Sequence, residues 1–392
     1  MYKQKEIIIM RFTLLLIIFN LLVSCSSRTS KSDLEFNLDE LYKSKFTQDE
    51  PGGSILIKKG DKIKFLKSYG LADIVTKEKI SENTIFNTGS ISKTFVANGI
   101  LILKEQGALS LNDNLNKYFD DFNNEYISQK VTIKHLLSHT SGLPDNRNVR
   151  ENRNFYLTAK DIENFEPLKQ ADSLNFEPGS KFQYSNPSYN GLALIIEKVT
   201  KKPWQEFIKK NIFNPSGMKN SKITNGVHPQ SGVAHGYDNY YKKGDSIYFG
   251  SYYEYDYGEV PTFAAAGNGG IWCSVLDLAK YEKAIQDNIF LNKKTINESR
   301  TVFKPENWSD SKKAHIGYSW FIGEDFLFKG KNNFNVNFIH HTGSQGGFRA
   351  FYITIPEKDI LLVGLFNRPI NKFQKLIFDT VKLLEKNNWL EN

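Results

Sequence analysis

Ser90 and Lys93 stand three apart in NTGSISKTF, residues 87–95, with Gly89 just before the serine and an apolar segment just after. On a helix, positions i and i+3 share a face, so this spacing sets an ammonium against a hydroxyl. The free amides and positive dipole end at a helix start favour negative charge that develops near the serine. A lysine desolvated in such a place drops from a pKa of about 10.4 toward neutrality and becomes a base toward the hydroxyl. The predicted chemistry is a nucleophile with its activator. The same spacing recurs at Ser216 and Lys219 and at Ser309 and Lys312, but Ser216 follows Pro215 in a turn and Ser309 lies in a polar loop, so neither opens an apolar helix. Taken alone, Ser90 also reads as an ordinary N-cap.

Other reactive side chains have plainer readings. His135 and His139 lie four apart on a predicted helix, yet no Glu follows the first as in a His-Glu-x-x-His zinc motif, so a packing role is expected. Cys273, in GGIWCSVLDLAKY, reads as a small buried hydrophobe. Five tyrosines in YFGSYYEYDYG, residues 248–258, suit either stacking on a ligand or a hairpin with tyrosine-rich faces. Asp238 and Asp256 have no identifiable partner.

The chain begins with an export signature. Lys3, Lys5 and Arg11 precede an apolar run from Phe12 to Val23 that is too short to span a bilayer comfortably. Its end, Leu22-Val23-Ser24-Cys25, resembles the lipobox of bacterial lipoproteins, which implies cleavage after residue 24 and lipidation of Cys25. An exported protein held to a bacterial membrane is expected, with 25–33 as a polar tether. With Cys25 lipidated, Cys273 has no partner in a chain of only two cysteines, so stability must come from packing. Loss of the leader lowers the net charge from +8 to +6, and the lysines are dispersed among acids, which argues against nucleic acid as a partner.

Positioning elements follow from periodicity. Leu34, Leu38, Leu41 and Tyr42 suit a helix stopped by Pro51-Gly52-Gly53. SILIKKGDKIKFLKSYG reads as a hairpin about Lys-Gly-Asp, and FRAFYITIP with DILLVGLFN as two further strands. A last helix carries apolar residues 370, 373, 376, 377, 381 and 384 on one face. Between these ends lie predicted helices over 95–106, 132–139, 191–201 and 275–285, and no repeat. The class is α+β, with strands clustered near the termini.

Two further segments, FQYSNPSYN and IHHTGSQGGFRAFYIT, follow Ser90 in that order. Together the three motifs resemble those of the serine β-lactamase and penicillin-binding-protein superfamily, with the Tyr-x-Asn of its class C branch and His-Thr-Gly in place of Lys-Thr-Gly. Further similar segments include TIKHLLSHTSGLP, NIFNPSGMKNS and AAGNGGIWCSVLDLAKY, and the resemblance runs from Pro51 to Asn367. It implies an antiparallel sheet flanked by helices on both faces plus a mostly helical subdomain. A single catalytic domain over 34–392 is expected, with its α/β part from about 34–105 and 265–392 and the helical part about 106–264.

The resemblance also implies roles. Ser90 would be acylated, Lys93 and Tyr184 would move its proton, and Asn186 would orient the substrate amide and Lys93. His341, Thr342 and Gly343 would lie beside the bound acyl group, with His341 supplying charge or a hydrogen bond toward the substrate or Tyr184. The backbone N–H groups of Ser90 and Ser344 would form the oxyanion hole. No metal or organic cofactor is implied. His341 departs from the lysine of efficient class C β-lactamases and removes a permanent cation, since histidine is mostly neutral at pH 7. That shifts the expectation to a D,D-peptidase, D-aminopeptidase or esterase acting on a small peptide, amide or ester, with cell-wall fragments among the candidate substrates. The alternatives are a true class C-like β-lactamase, or a binding lipoprotein that leaves the serine unused.

Overall fold

The structure, a computed structural model, describes residues 32–147, 155, 158–223, 232–243, 246–254, 266–328 and 334–391. The leader, Cys25 and most of the tether lie outside the described residues, as do residues 255–258 of the tyrosine-rich segment. Among the described residues no helix is long and apolar enough to cross a membrane.

Both ends of the chain build one six-stranded sheet. Its strands are β1 (Gly53–Lys59), β2 (Lys62–Tyr69), β3 (Phe321–Ile322), β4 (Ile339–Gln345), β5 (Phe348–Ile355) and β6 (Ile360–Phe366), in the order β3-β4-β5-β6-β1-β2. All neighbours are antiparallel, with Ile55 opposite Gly364 and His341 opposite Tyr352. The joint between β1 and β6 is the step that periodicity alone does not predict. It forms because both strands are apolar on both faces and must be covered on both sides.

Alternation along each strand divides the core into two layers. Ile55 and Ile57 of β1 and Ile360, Leu362 and Phe366 of β6 point to one face, where they meet α1 (Ser32–Lys43) and the last helix, Phe373–Lys386. Leu56, Leu361, Val363 and Leu365 point to the other, toward α2 (Ser92–Glu105) and the other internal helices. Residues 376, 377, 381 and 384 of the last helix are buried, whereas Ile370 and Phe373 only pack against the cluster's edge. Strand β2 is an outer edge, and exposed Lys62 and Lys64 deter further strand addition there.

The internal helices start earlier or stop sooner than periodicity suggests. The helix expected over 191–201 spans Asn186–Thr200, because Ser185 caps it and Pro187 suits its first turn. That over 132–139 is Ile133–Leu137. Asp161–Lys169 and Val275–Gln286 complete the set used below, here α3 and α5, with Asn186–Thr200 as α4. Residues 248–254 belong to a two-stranded hairpin, Tyr237–Lys243 with Ser246–Glu254. Arg368 lies over the Tyr252 ring at 5.4 Å, and Tyr253 is exposed.

Candidate active site

Ser90 sits in a 3-10 turn, Gly89–Ile91, that feeds α2, so it precedes the α-helix instead of capping it. A short strand, Phe86–Asn87, leads into the turn and pairs with Ile271–Cys273. Three bonds then pin the corner: the Thr88 N–H and hydroxyl both donate to the Ile271 carbonyl, at 3.0 and 2.8 Å, and the Gly89 N–H donates to Asn87 Oδ1 at 2.8 Å. Gly89 has φ +53°, a backbone conformation that favours glycine, and a Cβ there would lie 2.7 Å from the Ser344 nitrogen. From the other side, a Cβ on Gly343 would lie 2.0 Å from the Thr88 carbonyl oxygen. Two glycines thus allow the turn bearing Ser90 and the strand bearing Ser344 to touch backbone to backbone.

Lys93 is wholly buried on the first turn of α2, and its Nζ lies 3.1 Å from Ser90 Oγ. It donates to the Asn268 carbonyl at 2.7 Å, and among the described residues it has no carboxylate partner. Burial without a counter-charge holds its pKa well below the ordinary lysine value, and the Arg147 guanidinium nearby pushes the same way. The nitrogen also lies 5.2 Å from the Tyr184 ring centre and 5.8 Å from that of Tyr189. A neutral amine has one lone pair and two N–H groups. With one N–H on Asn268, the lone pair is available to the Ser90 hydroxyl.

Tyr184 is 36% exposed at the cleft; burial around its hydroxyl raises the phenol, while the nearby Ser90 acts in the opposite direction. A resting phenolate is disfavoured, because burial both raises the phenol and opposes the charge on Lys93 that would stabilise it. His139 holds the tyrosine in place. Its carbonyl accepts the Gln183 N–H at 2.9 Å, its Nδ1 accepts the Ser185 N–H at 3.1 Å, and its ring lies 4.4 Å from the Tyr184 ring. To do this it adopts φ +56°, uncommon for a residue with a side chain. His135 instead caps its own helix, accepting the Thr132 N–H at 3.2 Å. Packing roles therefore explain both histidines.

His341 is 1% exposed on β4, with its Nδ1 2.7 Å from the Thr342 carbonyl. A carbonyl only accepts, so Nδ1 carries the proton and Nε2 presents a lone pair; Nε2 is buried without a partner. Burial and the neighbouring Lys93 depress the ring pKa to about 3. Of the two expected contributions, charge is therefore removed and the hydrogen bond remains. Thr342 and Gly343 follow on the strand opposite Phe351 and Ala350.

Asn186, on the first turn of α4, and Ser344 line a pocket with Ser90. Asn268 and Arg147 line it too, and the sequence reading gave neither a role. Asn268 was legible only as part of AAGNGG, since a carbonyl ligand leaves no side-chain signature. Its loop is tied down by Asp161, at the start of α3 and buried, whose carboxylate accepts the Gly267 N–H at 2.8 Å, Asn190 Nδ2 at 2.7 Å and Trp204 Nε1 at 2.8 Å. Burial pushes Asp161 up to about 7, against those three donors. Cys273 is buried with the Ser221 hydroxyl at 3.3 Å from its sulfur, and burial raises its thiol. Neither Tyr252 nor Tyr253 is among the described residues lining the pocket.

Comparison with known proteins agrees with this architecture. Penicillin-binding protein 4* of Bacillus subtilis (strain 168) is 27% identical over 349 residues, covering 86% of this chain and 73% of that protein. A penicillin binding protein from Bacillus halodurans superposes with a TM-score of 0.71 at 25% identity, over 88% of this chain and 98% of that one. The D-amino acid amidase of Ochrobactrum anthropi SV3 shares the fold at a TM-score of 0.69 and 19% identity, over 91% and 100% of the two chains. The Beta-lactamase family model matches residues 37–384. With a sheet built from both chain ends and Ser90, Lys93 and Tyr184 gathered at its border, the chain belongs to the β-lactamase family of serine hydrolases.

Proposed function

We propose that the protein forms an acyl-enzyme at Ser90 and hydrolyses a peptide, amide or ester, with weak or no β-lactamase activity. The observation that carries this reading is Lys93: buried, without an acid to pair with among the described residues, and 3.1 Å from Ser90 Oγ. Lys93 takes the hydroxyl proton as Ser90 attacks the carbonyl carbon. Tyr184, beside Ser90 and Lys93, passes its proton to the leaving amine or alcohol and regains one from the Lys93 ammonium, and water then releases the acyl group. The N–H groups of Ser90 and Ser344 receive the oxyanion, and Asn186 holds the substrate amide. His341 contributes the Nε2 lone pair as an acceptor. Without a cation at 341 to meet a substrate carboxylate, a chromogenic cephalosporin is expected to turn over poorly. Relatives named as penicillin-binding proteins support a site that takes an amide-like acyl donor. Export and a lipid anchor on Cys25 would place the enzyme beside cell-wall material.

Release of p-nitrophenol from short acyl esters, together with an acyl adduct on the Ser90 peptide by mass spectrometry, tests the reading. Wild type is expected to give both and Ser90→Ala neither. An unlabelled Ser90 peptide in active protein would overturn it, and so would rapid cephalosporin turnover for the substrate preference.

A further inference from the structure

The pocket beside Ser90 is polar and, among the described residues lining it, carries one permanent charge. Asn164, Asn186, Asn268 and Gln345 supply side-chain amides, and Arg147 supplies the guanidinium. No Asp or Glu is among the described residues lining it. His341 adds no positive charge, because burial depresses its ring pKa to about 3, and burial also disfavours the charged form of Lys93.

Arg147 is built into this wall. Its side chain is 4% exposed, and it is clamped by Nε and Nη2 to the two oxygens of Asp145, both at 2.8 Å, and by Nη1 to Asn164 Oδ1. A guanidinium has five N–H donors, and among the described residues these contacts use three, which leaves one on each Nη. Asp145 is solvated, with a third of its side chain exposed, so water screens it while the enclosed guanidinium faces the pocket. Its charge lies close enough to add to burial in lowering the pKa of the catalytic amine, Lys93.

We propose that Arg147 selects acyl groups that carry a negative charge, so that the substrate is an acidic or N-acylated peptide derivative instead of one with a free α-ammonium. This deepens the acyl-enzyme reading and rests on it. A free amine on the acyl side would bring a second cation toward Arg147 in an enclosed pocket, whereas a carboxylate gains charge-assisted hydrogen bonds to the two remaining Nη protons.

Three D-alanine p-nitroanilides test this, since they share one scissile bond and differ only at the amine: free, N-acetyl and N-succinyl. The order expected for kcat/KM is succinyl above acetyl above free amine, with about 10-fold or more between the extremes, the size of a hydrogen bond to a charged group. Arg147→Gln collapses that order, and Arg147→Lys keeps part of it. Asp145→Asn, which removes the competing acid and retains the guanidinium, widens it. Melting curves identify any variant that fails to fold, and the Asp145→Asn arm stands without the Arg147 substitutions. Equal rates across the series in wild type, or an order unchanged in Arg147→Gln, overturn the proposal while leaving acylation intact. Absence of any adduct on Ser90 overturns the acyl-enzyme reading and this proposal with it.

Discussion

Replacing Gly343 with alanine tests whether backbone contact between the Ser90 turn and β4 sets the rate. The added Cβ would stand 2.0 Å from the Thr88 carbonyl oxygen, whereas ordinary contact begins at 3.4 Å, so about 1.4 Å must open between turn and strand. Neither the Thr88 carbonyl nor the strand is a flexible side-chain tip, and Thr88 is fixed through its N–H and hydroxyl to Ile271. The movement therefore separates the Ser90 and Ser344 amides. An oxyanion donor works over 2.7–3.1 Å, and losing one costs about 10² to 10³ in rate, or about 2.7–4 kcal/mol. We expect kcat/KM for p-nitrophenyl acetate to fall at least about 10²-fold. Overpacking of this kind destabilises by about 1–3 kcal/mol, so the protein should still fold, with a lower melting temperature. Gly343 is not in the left-handed region, so the effect is steric and not conformational. Gly250→Ala, where a Cβ meets nothing within 4 Å, serves as the control and should leave the rate unchanged. A folded Gly343→Ala that retains more than half the wild-type rate would refute the placement of the oxyanion hole.

Two further outcomes concern proton transfer. Lys93→Ala and Tyr184→Phe should each lower the p-nitrophenol burst rate by at least about 10²-fold, and full rates in both would show that the proton leaves Ser90 by another route. In the pH profile, kcat/KM should rise as Lys93 loses its proton and level off well below pH 10.5, because burial lowers that pKa. His341, depressed to about 3, stays neutral through the working range, so His341→Gln should keep the same acid limb. A limb that disappears in His341→Gln would assign the titration to the wrong nitrogen.

How much of this was legible depended on whether a side chain or the backbone carries the information. DILLVGLFN announces a strand buried on both faces, and Ser90 with Lys93 announces a nucleophile, because residue types at fixed spacing encode both. The pairing of β1 with β6 was not legible, since strands more than 300 residues apart in the chain carry no mutual register signal. Asn268 acts through its carbonyl, which any residue owns. His139 was visible as a histidine, but its use in bracketing Tyr184 depends on a left-handed backbone and on the Gln183 and Ser185 amides. Arg147 lies in a polar loop whose sequence reads as solvent-facing, and only the fold encloses it.

Those invisible contributions fix the electrostatics of the proposed acylation. Burial favours the neutral forms of Lys93, Tyr184 and His341, which lowers the cost of burying charge until the reaction creates it. When Ser90 gives up its proton, Lys93 becomes an ammonium and the carbonyl of Asn268 already lies 2.7 Å away to receive one of its protons. The loop bearing that carbonyl cannot drift, because Asp161 grips Gly267 while Asn87 Nδ2 donates to the Gly269 carbonyl at 3.1 Å. Asn87 also fixes Gly89 and so the Ser90 turn. One asparagine therefore couples the position of the nucleophile to that of the group that stabilises its base. A displaced Ser90 and a displaced Asn268 are then expected as a single defect, since neither loop can move without pulling on the other.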